Sequence, residues 1–502
     1  MMQFTSIKFL MFFLIVSVLY YVIPHKLRWV WLLICSYFFY MVLNPKYAML
    51  IATSTVITYL SGLLIEKANK ISNEKKSTQV KKTLVFASFF SNLGILFLFK
   101  YYNFFNESLT ELLHLFGISN RSPSFEYLLP MGISFYTLQA LSYTVDVYRK
   151  DVPAEKNIGK YALFVSFFPQ VVAGPIEKSK NMLHQFDEKH NFNYDRVKNG
   201  LLLMLWGVFI KIVVSDRLAV LVNTVYNNPN HYKGFTTFTA TLFFSFQIYC
   251  DFMSYSDIAR GAAEVLGFKV TNNFHQPYLS RSIKEFWSRW HVSLTSWFKD
   301  YLYFPLGGNR RGKLRANYNI MIVFIVSGLW HGATFNFIIW GGLHGLYQIV
   351  ENFTKPLRKR MLKTFKIKTD VFSFKFFQVF ITFMLVNFAW VFFKASSLST
   401  AITIIKNVFY FNPWALINGS IFELGLDSKD FFIAFAGIIL VLTVDILCRT
   451  KNLRTSLAKQ NIMFRWATYI GATVVILIFG LYGPGIACSS LSIHNFRRIL
   501  HV

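Results

Sequence analysis

Two apolar runs meet at His331 in residues 318–350, which read YNIMIVFIVSGLWHGATFNFIIWGGLHGLYQIV. An ionisable side chain at membrane depth is energetically costly, so by default it marks a functional path or site. Glycines recur on both sides of His331, and small residues let neighbouring helices approach closely. The stretch therefore predicts two tightly packed helices in lipid with a functional histidine between them.

The composition of the whole chain indicates a membrane protein. Of its 502 residues, 54% are hydrophobic and only 15% are charged, whereas a soluble domain carries about 25% charged residues. Apolar segments recur along most of the length, which predicts an all-α polytopic protein with about 11–12 transmembrane helices. We also expect re-entrant and amphipathic helices around a cavity, and one domain over residues 1–502, because no long polar linker divides the chain. The predicted spans are residues 7–23, 29–43, 47–65, 84–101, 128–147, 199–222, 236–258, 318–331, 334–350, 371–393, 431–448 and 467–485.

The net charge of +28 is concentrated in connections between these spans. Lys and Arg favour the cytoplasmic side of a membrane protein, so this distribution explains the charge without a nucleic-acid partner. It predicts that both termini lie outside the cytoplasm. The first span has no cleavage pattern, so we expect a membrane helix and not a signal peptide. The basic connections are residues 66–83, 259–318, 351–370 and 449–465, and the poorly charged ones are 102–127 and 394–430.

The same charge pattern predicts the depth of His331. Residues 259–318 and 351–370 are both expected in the cytoplasm, so the two apolar runs between them must enter the membrane and return. From Tyr318 to His331 is 13 residues, or about 20 Å of helix, in a hydrocarbon core about 30 Å thick. His331 is therefore expected at the apex of a hairpin, past the middle of the membrane as seen from the cytoplasm.

Two further segments are predicted to flank the cytoplasmic side of a cavity. Residues 161–176 contain Pro169, Gly174 and Pro175, and irregular backbone at membrane depth is tolerated only inside protein or along a cavity. We expect a re-entrant segment there. Residues 283–306 should form an amphipathic helix because apolar side chains recur at helical spacing. These side chains are Phe286, Trp290, Leu294, Trp297 and Tyr301.

Three ionisable residues are candidates for a chemical role. His331 suits a general base acting on a hydroxyl, because imidazole exchanges a proton near neutral pH; the plainer alternative is a buried histidine bonded to a carbonyl. His291 is either an interfacial histidine in an aromatic belt or a second polar group at the donor entrance. Asp251 is expected at the cytoplasmic end of a span, where a buried carboxylate needs a partner such as an arginine or an imidazole.

Residues close to the two histidines complete the predicted site. Trp330, Arg289, Ser293 and Asn336 lie within five residues of His331 or His291 and are predicted to bind substrate or support the site. Basic residues between 281 and 315 would attract an anionic cytoplasmic donor. The chain has no P-loop, HExxH, GxSxG or Rossmann glycine pattern, and no carboxylate stands at metal-ligand spacing from the histidines, so we expect no bound metal or cofactor.

Four motifs follow one another along the chain: Phe167-Phe-Pro-Gln-Val-Val-Ala-Gly-Pro-Ile176, Cys250-Asp-Phe-Met-Ser-Tyr-Ser-Asp257, Phe286-Trp-Ser-Arg-Trp-His-Val-Ser-Leu294 with Tyr301-Leu-Tyr-Phe-Pro-Leu-Gly-Gly-Asn-Arg310, and Ser327-Gly-Leu-Trp-His-Gly332 with Trp340-Gly-Gly-Leu-His-Gly345. Together they resemble the membrane-bound O-acyltransferase family, in its bacterial alginate and peptidoglycan O-acetyltransferase-like branch. The likeness is densest over residues 125–350, with 1–124 and 351–502 as flanking helices. It implies that His331 is the catalytic histidine, that His291 is the family's second histidine, and that a tunnel joins the two sides of the membrane at His331.

The leading hypothesis is transfer of an acyl group, expected to be acetyl, from a cytoplasmic thioester to hydroxyls of an extracytoplasmic polysaccharide such as alginate or peptidoglycan. The donor would be acetyl-CoA or an acyl carrier protein, and the resemblance implies a secreted SGNH-type transferase as partner beside the surrounding membrane lipid. One alternative is D-alanyl transfer to teichoic acid from an acylated carrier protein. Another, of a different class, is a transporter or flippase of lipid-linked sugars. The residues leave open the acceptor and the oligomeric state.

Overall fold

The computed structural model describes residues 2–118 and 130–482, which are helical over most of their length and contain no β-strand. Each predicted span lies largely within helix, although residues 128, 129 and 483–485 fall outside the described ranges. The helices are α1 Ile7–Val22, α2 His25–Leu43, α3 Pro45–Ala68, α4 Glu74–Leu96, α5 Tyr102–Leu115, α6 Ile133–Arg149, α7 Ile158–Ser166, α8 Ser179–Met182, α9 Tyr194–Phe209, α10 Asp216–Asn227, α11 Phe235–Leu266, α12 Ile283–Arg289, α13 Val292–Phe298, α14 Lys313–His331, α15 Phe335–Thr364, α16 Phe372–Lys394, α17 Leu398–Val408, α18 Ser428–Cys448, α19 Leu453–Ala458 and α20 Ile462–Phe479.

Six helical stretches of the described chain are long and apolar enough to cross a membrane. They confirm the predicted all-α polytopic architecture, since helices satisfy their own backbone hydrogen bonds in lipid. The total number of crossings stays a prediction. The six stretches are Pro45–Ala68, Glu74–Leu115, Tyr194–Asn227, Phe372–Lys394, Ser428–Cys448 and Ile462–Phe479.

The chain divides into two compact units, and the boundary between them falls within α9 and α11. The first unit comprises Met1–Met204 and Ile258–Thr271, and the second comprises Leu205–Asp257 and Asn272–Val502. In the first unit, Tyr161 donates a hydrogen bond of 2.8 Å from its hydroxyl to Thr58 Oγ1, which joins α7 to α3. All the predicted site residues belong to the second unit.

The second unit contains the predicted hairpin. Helices α14 and α15 pack on each other and are joined by the three residues 332–334. A Cβ atom at Gly328 would collide with the carbonyl oxygen of Phe337, and one at Gly341 would collide with that of Phe324. Both positions therefore require glycine, because the backbones touch there. His331 is the last residue of α14, which confirms its predicted place at the apex.

The apex lies at the C-terminal end of α16. The imidazole of His331 packs edge-on against Phe393, with 5.4 Å between ring centroids, and Asn336 Nδ2 donates a hydrogen bond of 2.9 Å to the carbonyl of Ala395. Lys394 Nζ donates to Asn223 Oδ1 at 2.7 Å, so the end of α10 is at the same level. The hairpin thus runs beside nearly the whole length of α16. It places His331 at the C-terminal end of α16, where residues 395–427 begin.

Candidate active site

The imidazole of His331 is held by three aromatic rings. Its centroid lies 4.8 Å from that of Trp330, 5.1 Å from that of Trp340 and 5.4 Å from that of Phe393, and all three contacts are edge-to-face. The residue itself is only half-buried. An aromatic collar of this kind restricts the orientation of the ring and keeps its surroundings apolar, while part of the residue stays accessible.

Trp330 brings the two predicted catalytic histidines into one cluster. Its ring contacts His331 at 4.8 Å and His291 at 6.2 Å between centroids. His291 is buried and packs perpendicular to Phe252 at 4.5 Å. The structure therefore brings His291 and His331 into contact with one indole, although 40 positions separate them in the sequence.

The predicted continuous amphipathic helix over residues 283–306 is wrong. The helix stops at Arg289, and His291 adopts a left-handed backbone conformation with φ of 45° before α13 begins at Val292. Asn273 causes the break by accepting two hydrogen bonds, from Val292 N to its carbonyl at 3.0 Å and from Ser293 N to its Oδ1 at 3.1 Å. A non-glycine residue in this conformation costs about 1–2 kcal/mol, and such strain is common at functional sites.

The partner of Asp251 differs from the expected one. Lys211 Nζ lies 2.8 Å from Asp251 Oδ1 and 2.7 Å from Asp216 Oδ1, and all three side chains are buried. Lys211 belongs to a π-helical segment, Ile210–Ser215, that joins α9 to α10. Asp251 lies within α11. Its predicted site role stays a prediction, and Lys211 and Asp216 were not anticipated.

The remaining predicted residues make local contacts in the second unit. Arg289 forms an ion pair of 2.7 Å with Glu285 one turn earlier in α12. Ser293 is fixed by the side chain of Asn273, and Asn336 joins α15 to the residue that follows α16. These contacts give the three residues a structural role around the two histidines, and a role in substrate binding stays a prediction.

Two residues that sequence reasoning left out of the site are Trp340, which contacts His331, and His344, which contacts Trp340. Trp340 is buried, stacks on Trp390 at 5.7 Å, and has no hydrogen-bond partner for its indole N–H within residues 2–118 and 130–482. His344 packs against Trp340 at 5.2 Å and accepts a hydrogen bond of 3.2 Å at Nδ1 from Trp287 Nε1. In its neutral form His344 therefore carries its proton on Nε2. Their spacing on α15, one turn apart, was visible in the motif Trp340-Gly-Gly-Leu-His-Gly345.

An all-α membrane protein with a histidine at the apex of a hairpin, enclosed by aromatic rings, is suited to acid–base chemistry on a substrate that reaches the membrane interior. The model of the membrane-bound O-acyltransferase family matches residues 32–393. The chain belongs to this family, and it is an O-acyltransferase.

Curated relatives cover most of the chain. A protein named probable alginate O-acetylase from Pseudomonas aeruginosa is 36% identical over 83% of this chain and 76% of its own length. A peptidoglycan O-acetyltransferase from Helicobacter pylori is 32% identical over 77% of this chain and 74% of its own. A teichoic acid D-alanyltransferase from Bacillus subtilis is 26% identical over 46% of this chain and 60% of its own. The predicted resemblance and the predicted enzyme class are confirmed.

Proposed function

We propose that this protein moves an acetyl group from a cytoplasmic thioester, through the membrane, to hydroxyls of an extracytoplasmic polysaccharide. The relatives that cover most of the chain are named for O-acetylation of alginate and of peptidoglycan, which favours acetyl transfer to a glycan over D-alanyl transfer. The enzyme would lie in the bacterial inner membrane with both termini outside the cytoplasm, as the basic connections indicate.

The observation that carries the proposal is the half-buried imidazole at the hairpin apex. The hairpin enters from the end that bears the basic connections, and its apex reaches the opposite end of α16. A thioester that extends up from the cytoplasm and a hydroxyl that arrives from outside would therefore meet at one ring. Such positioning lowers the barrier because the two reactants no longer have to find each other.

The chemistry assigned to His331 is proton transfer. A ring nitrogen takes the proton from the acceptor hydroxyl, the oxygen attacks the thioester carbonyl, and the carbon–sulfur bond breaks to release a thiolate that takes the proton from the imidazolium. The products are an O-acyl ester and a free thiol, so no proton is left over. The negative end of the α14 dipole lies at His331 and favours the imidazolium that forms on the way.

Trp340 is assigned to the carbonyl oxygen of the donor. A buried N–H without an acceptor costs about 1–3 kcal/mol, so a substrate oxygen that supplies the acceptor gains this amount. Preorganised donors aimed at an oxyanion are a major source of rate enhancement in acyl transfer. His344 accepts from Trp287 at Nδ1, so its remaining ring N–H, at Nε2, would donate to the same oxygen.

Genetic loss of the protein provides a direct test. We expect that deletion of its gene removes ester-linked acetyl groups from one cell-wall or extracellular polysaccharide, and that the wild-type gene restores them. Mass spectrometry of the wall and exopolysaccharide fractions measures the change and identifies the acceptor. Loss of ester-linked D-alanine with intact acetylation would instead favour the D-alanyl alternative.

Purified protein in liposomes, supplied with acetyl-CoA, should release free thiol when the acceptor is present.

Replacing the indole N–H of Trp340 tests its role. The analogue 3-benzothienylalanine puts sulfur in place of the N–H and keeps the ring shape, so the stack on Trp390 is preserved. We expect kcat to fall about 10²-fold, the usual loss for one oxyanion donor, with little change in thermal stability. The matched control is the same analogue at Trp390, whose N–H already donates to the Tyr278 hydroxyl at 3.2 Å. A kcat that stays at the wild-type value in the Trp340 variant would contradict the assignment.

A further inference from the structure

Helix α15 continues beyond the hairpin. Asn352 Nδ2 donates a hydrogen bond of 3.1 Å to Asn317 Oδ1, close to the start of α14. Residues 353–364 carry the helix on for another 12 positions, and all of them except Leu362 are exposed. We call this segment the α15 extension. Because its residues are exposed, the extension does not contribute to the packing of the hairpin. Its sequence pattern must therefore serve a different interaction.

The side chains of the α15 extension divide into two faces. Phe353, Leu357 and Met361 recur at every fourth position and are 58%, 60% and 50% exposed, which places them in one row along the helix. Successive residues of an α-helix are rotated by about 100° around its axis. This rotation places a second row of side chains on the face opposite the apolar row, and one arginine along each edge of the apolar row. The opposite row is Lys355, Lys359 and Lys363, and the bordering residues are Arg358 and Arg360. No acidic residue occurs between positions 352 and 369.

The neighbouring helix gives the depth of the extension. Helices α15 and α16 run antiparallel, because Phe337 contacts Phe393 at 5.0 Å while Trp340 and His344 contact Trp390 at 5.7 Å and 6.2 Å. Both helices rise about 1.5 Å per residue, so the start of α16 is level with the middle of the extension. That start is where a membrane-spanning stretch begins, and its Phe372 is largely exposed. The apolar row of the extension therefore lies at the level where α16 enters the bilayer.

We propose that the α15 extension binds the anionic phospholipid headgroups of the leaflet it meets. The apolar row lies against the upper acyl chains, the two arginines reach the phosphates at the edges of that row, and the three lysines add attraction from the polar face. The depth and the charge together favour lipid over an acidic protein, since a soluble partner would not need an apolar row at the level of a membrane span. Bound anionic lipid would fix the cytoplasmic end of the helix that carries the active-site hairpin.

A fluorescent label at position 361 tests the placement of the apolar row. The full-length protein, with Cys448 and Cys488 changed to Ser, carries NBD at Met361→Cys or, as the matched control, at Lys359→Cys. It is reconstituted into phosphatidylcholine vesicles with or without phosphatidylglycerol. We expect the emission at 361 to shift to the blue and to be quenched by brominated lipid when the anionic lipid is present, with a much smaller response at 359. Water-like emission at 361 in anionic vesicles would overturn the proposal.

A charge variant tests the lipid specificity. Anionic lipid should raise the Tm of the wild-type protein in nanodiscs, and salt should weaken the effect because it screens exposed charges. Each lysine near an anionic membrane surface raises the ratio of bound to unbound segment about fivefold. Replacing all three lysines, in Lys355→Gln, Lys359→Gln and Lys363→Gln together, should therefore abolish most of the Tm rise. The control removes the same charge from three exposed lysines of α4, Lys75, Lys76 and Lys82. Equal losses in both variants, or no lipid-dependent rise in the wild type, would refute the proposal.

Discussion

Replacing His331 with Ala is expected to lower kcat for acyl transfer about 10²–10⁴-fold, the usual contribution of a general base. The fold should survive, because the residue is only half-buried at the end of α14 and the neighbouring glycines keep the hairpin together. The measurements are the release of thiol from acetyl-CoA and the O-acetyl content of the acceptor polysaccharide. Both use purified protein whose thermal stability has been verified. The matched control is His184→Ala, since that side chain is 59% exposed. Wild-type turnover in the His331→Ala protein would eliminate the proposed mechanism.

The surroundings of His291 and His331 differ. His291 is enclosed by Phe252 and Trp330 and sits in a left-handed backbone conformation, so its replacement disturbs packing as well as chemistry. His331 is half-buried and lies at the apex of the hairpin. We therefore assign proton transfer to His331 and regard His291 as a positioning residue that acts through Trp330.

The hairpin and its apex could be predicted because they depend on local sequence. Basic residues on both flanks predict an even number of crossings, which requires the two apolar runs to fold back on each other. The glycines that the structure requires at 328 and 341 were visible for the same reason. Each of these signals is carried by residues adjacent to the element that they determine.

The missed features depend on partners distant in the sequence. The break at His291 comes from Asn273, which accepts hydrogen bonds from the first residues of α13. These hydrogen bonds override the helix that the spacing of apolar residues over 283–306 predicts. Lys211 is 40 positions from Asp251 in the sequence, and only the folded chain brings the two side chains together. The role of Trp340 rests on an unused N–H, which no sequence pattern reveals, because whether a donor is satisfied is a property of the coordinates.

Changing Lys211 to Met should be the most destabilising single substitution proposed here. It leaves the carboxylates of Asp216 and Asp251 buried without their shared cation, and loss of one partner from a buried ion pair costs about 3–5 kcal/mol. We expect the variant to lose most of its folded population, which fluorescence-detected size exclusion and thermal unfolding in detergent would measure. A Lys211→Met protein as stable as the wild type would show that the cluster contributes little to folding.

The triple variant Lys211→Met, Asp216→Asn and Asp251→Asn separates folding from chemistry. It removes all three charges at nearly constant volume, and neutral replacement of a buried ion cluster is often tolerated, so we expect folding to recover. We also expect most of the turnover to recover, because Asp251 pairs with Lys211 while the next residue, Phe252, carries the contact to His291. In that case the role of the cluster is to position α11, and with it Phe252, against His291. A stable triple variant without turnover would instead place the Asp251 carboxylate in the reaction itself.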